Sequence, residues 1–187
     1  VRVFPAPTYD GAYDGPRTDF RETIHWQPSV RTGKDGQATI TFYLSDAITS
    51  FRVFAEGTGG GLAGRHEEVI QSALPFSMGV KLPVEVSAGD KLLLPLTLTN
   101  EQDKALPVSL TASFGDLLKL DGSAGLKGPS LAAKARESIF YPVTVTGISG
   151  KSKVSFSADA GGLKDEFNRE LNVVPLGFPQ EQARAAA

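Results

Sequence analysis

Cysteine is absent from the 187 residues. That excludes disulfides, a thiol nucleophile and any cysteine-ligated metal. It leaves an oxidising compartment open, because a larger β domain can be stable without cross-links. Histidine is scarce too. His25 and His66 are the only two, too few for a multi-histidine zinc site within the chain. No apolar run approaches the roughly 20 residues that a membrane-crossing helix needs. The chain opens on VRVFPAPTYD, without the basic start and apolar core of a signal peptide, and its first residue is not Met. The expectation is a portion of a longer protein whose targeting signal lies elsewhere. A net charge of −2 offers no electrostatic reason to expect nucleic acid or an anionic membrane surface as partner.

What is present describes a folded, turn-rich β protein. Hydrophobic residues make up 41% and charged residues 21%, ordinary values for a globular chain, while 20 Gly and 12 Pro call for many turns. The length suits one large or two small domains.

Residues 1–18 (VRVFPAPTYDGAYDGPRT) read as an exposed loop, with a short strand conceivable at Val1–Phe4. Tyr9-Asp10-Gly11 and Tyr13-Asp14-Gly15 are turn formers. Asp10, Asp14 and Asp19 lack the tight spacing of a calcium loop, so a solvated loop is the stronger reading. Residues 20–27 (FRETIHWQ) alternate as a near-edge strand that Pro28 ends. Gly33-Lys34-Asp35-Gly36 is a hairpin signal. Residues 38–44 then alternate with Ile40, Phe42 and Leu44 inward, and 50–56 with Phe51, Val53 and Ala55 inward. Gly57–Gly61 superficially suggests a phosphate cradle, but no Gly-Lys-Ser/Thr follows and no helix, so a flexible β connection is favoured. Residues 65–73 suggest a further strand.

Leu74-Pro75 opens a second set. Strands are expected at 76–86, 91–99, 106–114, 136–145, 151–159 and 164–174, with a short one near Leu117–Leu120. Period two puts Leu94, Leu96 and Leu98, then Val108, Leu110 and Ala112, then Ile139, Tyr141, Val143 and Val145, then Val154, Phe156 and Ala158, then Phe167, Leu171 and Val173 inward. Short alternating strands at this spacing, without a convincing amphipathic helix, indicate antiparallel β-sandwiches of the immunoglobulin/fibronectin kind. Pro95 and Pro107 point to edges or bulges. The adjacent carboxylates Glu67-Glu68 and Asp165-Glu166 sit in hydrophilic contexts and read as solvated charge rather than an acid/base pair.

One stretch carries more than composition. Phe20, Glu22, Thr23 and Trp26, then Gly36 in the hairpin, then Asp46, Ile48, Thr49 and Phe51 follow an order that resembles the segment after the bait region in alpha-2-macroglobulin-like proteins. Animal members usually carry Trp where Phe51 stands. Leu74-Pro75-Phe76 and Leu82-Pro83 look like the entry to the next macroglobulin domain. The lack of cysteine and the wording of DFRETIHW are more similar to bacterial members.

The resemblance implies tandem macroglobulin domains: 1–18 a loop after a bait-like region, 19–73 the later part of a split domain, 74–175 a sandwich, and 176–187 a linker or tail. It implies a structural fragment of a bacterial protease-trapping protein, an endopeptidase inhibitor working in the periplasm, with no chemistry of its own. The expected partners are proteases trapped by the parent and neighbouring macroglobulin domains; any membrane tether would come from a missing N-terminal segment. Many members carry a Cys–Gln thioester, which this chain cannot contain. No catalytic, metal or cofactor-binding residue is assigned, and no cofactor is expected. The alternative is a tandem β-sandwich module of a cell-surface adhesin or interaction scaffold. A carbohydrate-binding accessory module is poorly supported by a single Trp, and an enzyme least of all.

Overall fold

The computed structural model describes residues 4, 13, 15–122 and 128–177. The chain divides into two compact units, Val1–Leu74 and Pro75–Ala187. The expected loop at 1–18 and tail at 176–187 fall largely outside the described residues, as do Asp10 and Asp14.

In the first unit the strands are β1 (Ser50–Gly59) and β2 (Leu62–Gln71), joined as an antiparallel hairpin from Ser50↔Gln71 to Gly59↔Leu62. Gly60 and Gly61 form its two-residue turn with φ of 57° and 80°. Two consecutive left-handed residues match the twist of the flanking strands, and glycine adopts that region without strain. The Gly-rich piece is therefore a strand end and a tight turn, not a flexible connection.

The strands expected at 20–27 and 38–44 do not form. Their turn does: the Gly33 N–H donates to the Gln37 carbonyl at 2.8 Å, and the Gly36 N–H to the Gly33 carbonyl at 3.0 Å. Alternation says which face a strand would bury, but a ladder needs neighbours, and backbone groups left without them stay in water. Ile40 and Tyr43 are accordingly exposed, Phe42 and Leu44 half-buried.

The second unit is an all-β sandwich. One sheet has the order β4-β11-β10-β6-β8 and the other β3-β5-β9-β7. The strands are β3 (Phe76–Val80), β4 (Glu85–Ser87), β5 (Lys91–Asn100), β6 (Leu106–Ser113), β7 (Leu118–Leu120), β8 (Ser130–Leu131), β9 (Arg136–Val145), β10 (Gly150–Ala160) and β11 (Leu163–Val174). Pairing is antiparallel except for β4, which runs parallel to β11. The run expected as one strand at 76–86 is thus two, and the chain changes sheets between them at Lys81–Val84. Pro83 lies in this connection, where no ladder N–H is needed. Pro95 obeys the same rule inside β5, because β3 pairs with β5 only as far as Leu96.

The core follows the period-two pattern. Leu94, Leu96, Leu98, Tyr141, Val143, Val145, Val154, Phe156, Phe167 and Leu171 are all buried. Phe156 lies at the centre of an aromatic cluster, with ring centroids 5.4 Å from Tyr141, 5.5 Å from Phe167 and 5.9 Å from Phe114. Burial penalises the phenolate and pushes Tyr141 up to about 12. Its contribution to stability is complete below the ordinary tyrosine value near 10 and is lost as pH rises through the folded value.

Gly115 sits in a crowded turn of the sandwich. Its φ is 68°, and a Cβ there would lie 2.6 Å from the Ser152 Oγ and 3.1 Å from the Lys153 backbone. The Ser152 hydroxyl donates to the Phe114 carbonyl at 2.7 Å, so it is not free to move aside. Gly60 has the same kind of φ but open space around it. Gly60→Ala is expected to cost about 1–2 kcal/mol of strain. Gly115→Ala is expected to cost that plus about 1–3 kcal/mol of overpacking. Urea titration of each unit measures the pair; equal costs would show that the contact with Ser152 is harmless.

Candidate functional site

Of the residues singled out by sequence, Asp46 and Asp19 meet in the first unit, in a cluster centred on Asp46. Its carboxylate oxygen Oδ2 accepts from two consecutive backbone amides, Thr18 at 2.9 Å and Asp19 at 2.8 Å. The Asp46 N–H returns to the Asp19 carbonyl at 2.7 Å. The Arg17 guanidinium donates to the Asp46 carbonyl at 3.2 Å and lies 5.8 Å from the Phe20 ring centroid. Asp19 in turn is gripped by Arg21, whose Nε and Nη2 each donate to it at 2.8 Å. That hydrogen bond from Arg21 holds the Asp19 carboxyl below its ordinary value. Asp19 is therefore an ion-pair partner.

Of the remaining motif residues, Phe51 is buried at the start of β1, while Glu22, Thr23 and Trp26 are exposed. Trp26 is 63% exposed and meets only the edge of Phe4, at 6.5 Å between centroids, among the contacts described. His25 stacks on Phe42 at 5.3 Å. With no ladder at 20–27 there is no inner strand face to hold Trp26.

Beside Asp46, the Ser45 hydroxyl is buried without a hydrogen-bond partner. Leaving a buried hydroxyl unpaired costs about 1–3 kcal/mol. Ser45→Ala is therefore expected to leave the first unit as stable or stabilise it by up to about 1 kcal/mol. A fall in its unfolding midpoint would mean that the hydroxyl is bonded in solution.

The two faces of the β1–β2 hairpin differ. On one, Arg52 meets Glu67 at 3.0 Å, Arg65 lies 3.9 Å from both Glu56 and Glu67, and Arg65 covers the Phe54 ring at 4.8 Å. These pairs are exposed and each is worth little, but together they satisfy the face in water. The other face carries Phe51, Val53 and Ala55 opposite Ile70, Glu68 and His66. Glu67 and Glu68 thus point to opposite faces and cannot act as an acid/base pair. The shallow hollow along Glu56, Gly57, Thr58, Ala63, Gly64 and Arg65 is open, and the two charged groups that line it, Glu56 and Arg65, face each other at 3.9 Å.

In the second unit Asp165 corrects the reading of solvated charge. It is 4% exposed and accepts the Met78 N–H at 2.7 Å, tying β11 to β3, whereas Glu166 is exposed as expected. Period two places Asp165 on the face of Phe167, Leu171 and Val173, but no pattern marks the distant backbone N–H that its carboxylate meets. Among the described residues no group of three or more His, Asp or Glu could hold a metal ion. No helix among the described residues is long and apolar enough to cross a membrane.

The geometry is that of a macroglobulin-type β-sandwich preceded by a hairpin and an anchored extended segment. Residues 23–112 match the sequence model of the Alpha-2-macroglobulin family. The chain is 28% identical over 172 residues to an alpha-2-macroglobulin homolog of Nostoc sp., covering 88% of this chain and 9% of that one. It is 27% identical over 165 residues to an alpha-2-macroglobulin of Thermotoga maritima, covering 88% of this chain and 11% of that one. Among solved structures, Escherichia coli alpha-2-macroglobulin activated by porcine elastase superposes with a TM-score of 0.69 at 20% identity, over 89% of this chain and 16% of that one. The trypsin-activated form of the Escherichia coli protein gives 0.66 at 25% identity, over 78% of this chain and 10% of that one. The chain belongs to the alpha-2-macroglobulin family. It spans about a tenth of the length of the curated relatives it matches.

Proposed function

We propose that this chain is a structural segment of a bacterial protease-trapping protein, placed directly after the region that proteases cut. Residues 1–18 are the loop leaving that region, 19–73 the later part of a split macroglobulin domain, 74–175 a macroglobulin-like sandwich, and 176–187 a linker or tail. The partners are proteases caged by the parent and its own neighbouring macroglobulin domains, and the compartment is the periplasm.

The observation that carries the split-domain reading is the distribution of core. Phe51 is the one buried apolar residue of the first unit among the described residues; the rest of the buried apolar set lies in the second. Trp26, Val30, Ile40, Tyr43, Phe54 and Val69 are all more than two-fifths exposed. A unit so poor in core is marginal alone, because only buried apolar area offsets the entropy of ordering its chain. Earlier strands of the same domain, upstream in the parent, would supply the cover. The adhesin alternative has no comparable observation in its favour.

Two measurements test the reading. Extending the chain upstream through the preceding strands is expected to raise the melting temperature of the first unit and reduce self-association. If the extension changes neither, the split-domain reading fails. For the parent, exposure to trypsin is expected to yield a complex in which the protease still cleaves a small peptide but no longer a large protein. Free, fully active trypsin after the cut would refute the trap.

A further inference from the structure

Of the cations described in the first unit, Arg17, Arg21, Arg52 and Arg65 are each held by a hydrogen bond or an ion pair. Arg31 and Lys34 are exposed, and among the described residues neither makes such a contact. Every residue over 25–41 is exposed. Within that stretch, residues 28–32 take part in no backbone hydrogen bond among the described residues. The first bonded amide is that of Gly33, which closes the turn with Gln37. The alternating stretches 20–27 and 38–44 flank this segment, so it is a connection whether or not they find partners in the parent.

An endopeptidase takes its substrate as an extended strand, pairing with its backbone and seating a side chain in a pocket. A folded segment must first open, so its cutting follows the population of the open form. Residues 28–32 have no ladder to leave, and the Arg31 guanidinium has no ion pair to give up. That guanidinium matches a pocket floored by a carboxylate, which it can meet with two parallel hydrogen bonds. We propose that the Arg31–Thr32 bond is a cleavage site for endopeptidases of trypsin-like specificity, with Arg31 as the residue that determines recognition. The protease's nucleophile attacks the Arg31 carbonyl carbon, Thr32 leaves as a free amine, and water then releases the Arg31 carboxylate. Lys34–Asp35 offers a second cation, but inside a turn held by the Gly33 N–H to the Gln37 carbonyl and the Gly36 N–H to the Gly33 carbonyl, which must open first. Arg52 and Arg65 lie in the β1–β2 ladder. The site is separate from the loop at 1–18 and does not rest on the trap reading.

The test is limited digestion of the full chain with trypsin, with fragment masses followed over time. A new chain end at Thr32 is expected at an initial rate at least about tenfold above that for cuts after Arg52 or Arg65. The cut after Lys34 is expected to be slower than the one after Arg31. Arg31→Gln is expected to abolish the cut at Thr32 while the initial rates at Arg52 and Arg65 stay as they were, which shows that the hairpin remains folded. Equal initial rates at Arg31, Arg52 and Arg65 would mean that the unit opens as a whole and would overturn the site. So would the absence of a Thr32 end before the ladder is cut, or its persistence in Arg31→Gln. A cut after Lys34 as fast as that after Arg31 would remove Arg31 from its special place. Whether the parent retains trypsin is a separate readout, so a failed trap leaves this result standing.

Discussion

Phe156→Ala is expected to destabilise the second unit by about 3–5 kcal/mol, the largest effect of any single truncation in the chain. Phe156 is 1% exposed and its ring lies within 6 Å, centroid to centroid, of Phe114, Tyr141 and Phe167. Truncation therefore removes the transfer energy of a phenyl ring, opens a cavity that rigid neighbours cannot collapse into, and breaks three ring contacts at once. For a domain of about 100 residues each kcal/mol corresponds to roughly 4–8 °C of melting temperature, so a fall of more than about 12 °C is expected. Phe140 provides the control. It sits one residue from Tyr141 on β9 but faces outward, 51% exposed, and its replacement by Ala is expected to change stability by no more than about 0.5 kcal/mol. Comparable losses at both positions would mean that the two faces of β9 are assigned wrongly.

Asn100→Ala comes next, at about 2–4 kcal/mol, and for a different reason. Asn100 is 1% exposed at the end of β5. Its side-chain amide donates to the Lys104 and Ala132 carbonyls at 2.8 Å each, and its oxygen accepts the Gln102 N–H at 2.9 Å. One side chain thus pins the turn after β5 to the approach to β9. Alanine would leave one donor and two acceptors unpaired in a part-buried corner, which costs more than the bonds were worth. Asn100→Asp keeps the acceptor for Gln102 but turns a negative charge toward two carbonyls, and is expected to cost at least as much. Urea titration with hydrogen exchange at Gln102 checks both. A loss below about 1 kcal/mol for the alanine variant would mean that water replaces the amide.

Period-two alternation and turn chemistry were enough to read the second unit from its sequence. Strand β9 begins and ends at the residues expected, Arg136 and Val145, and the inward sets on β5, β10 and β11 are the buried sets. This works because each strand there has one wet and one dry face, so alternation alone decides which side chains go in. The same rule failed for residues 20–27 and 38–44, which alternate as well but form no ladder. Alternation is a property of a chain; a strand is a property of a chain and its neighbours. Tertiary structure also decided three polar roles that no pattern marks. Asp165 and Asn100 are buried because a backbone group from a distant segment needs them, and Asp46 receives two amides from residues almost thirty positions earlier. Hydrophobic pattern is local and repeats, so sequence alone determined the β architecture and its core. Which carboxylate or amide meets which backbone donor depends on how distant segments are brought together, and only the folded chain decides that.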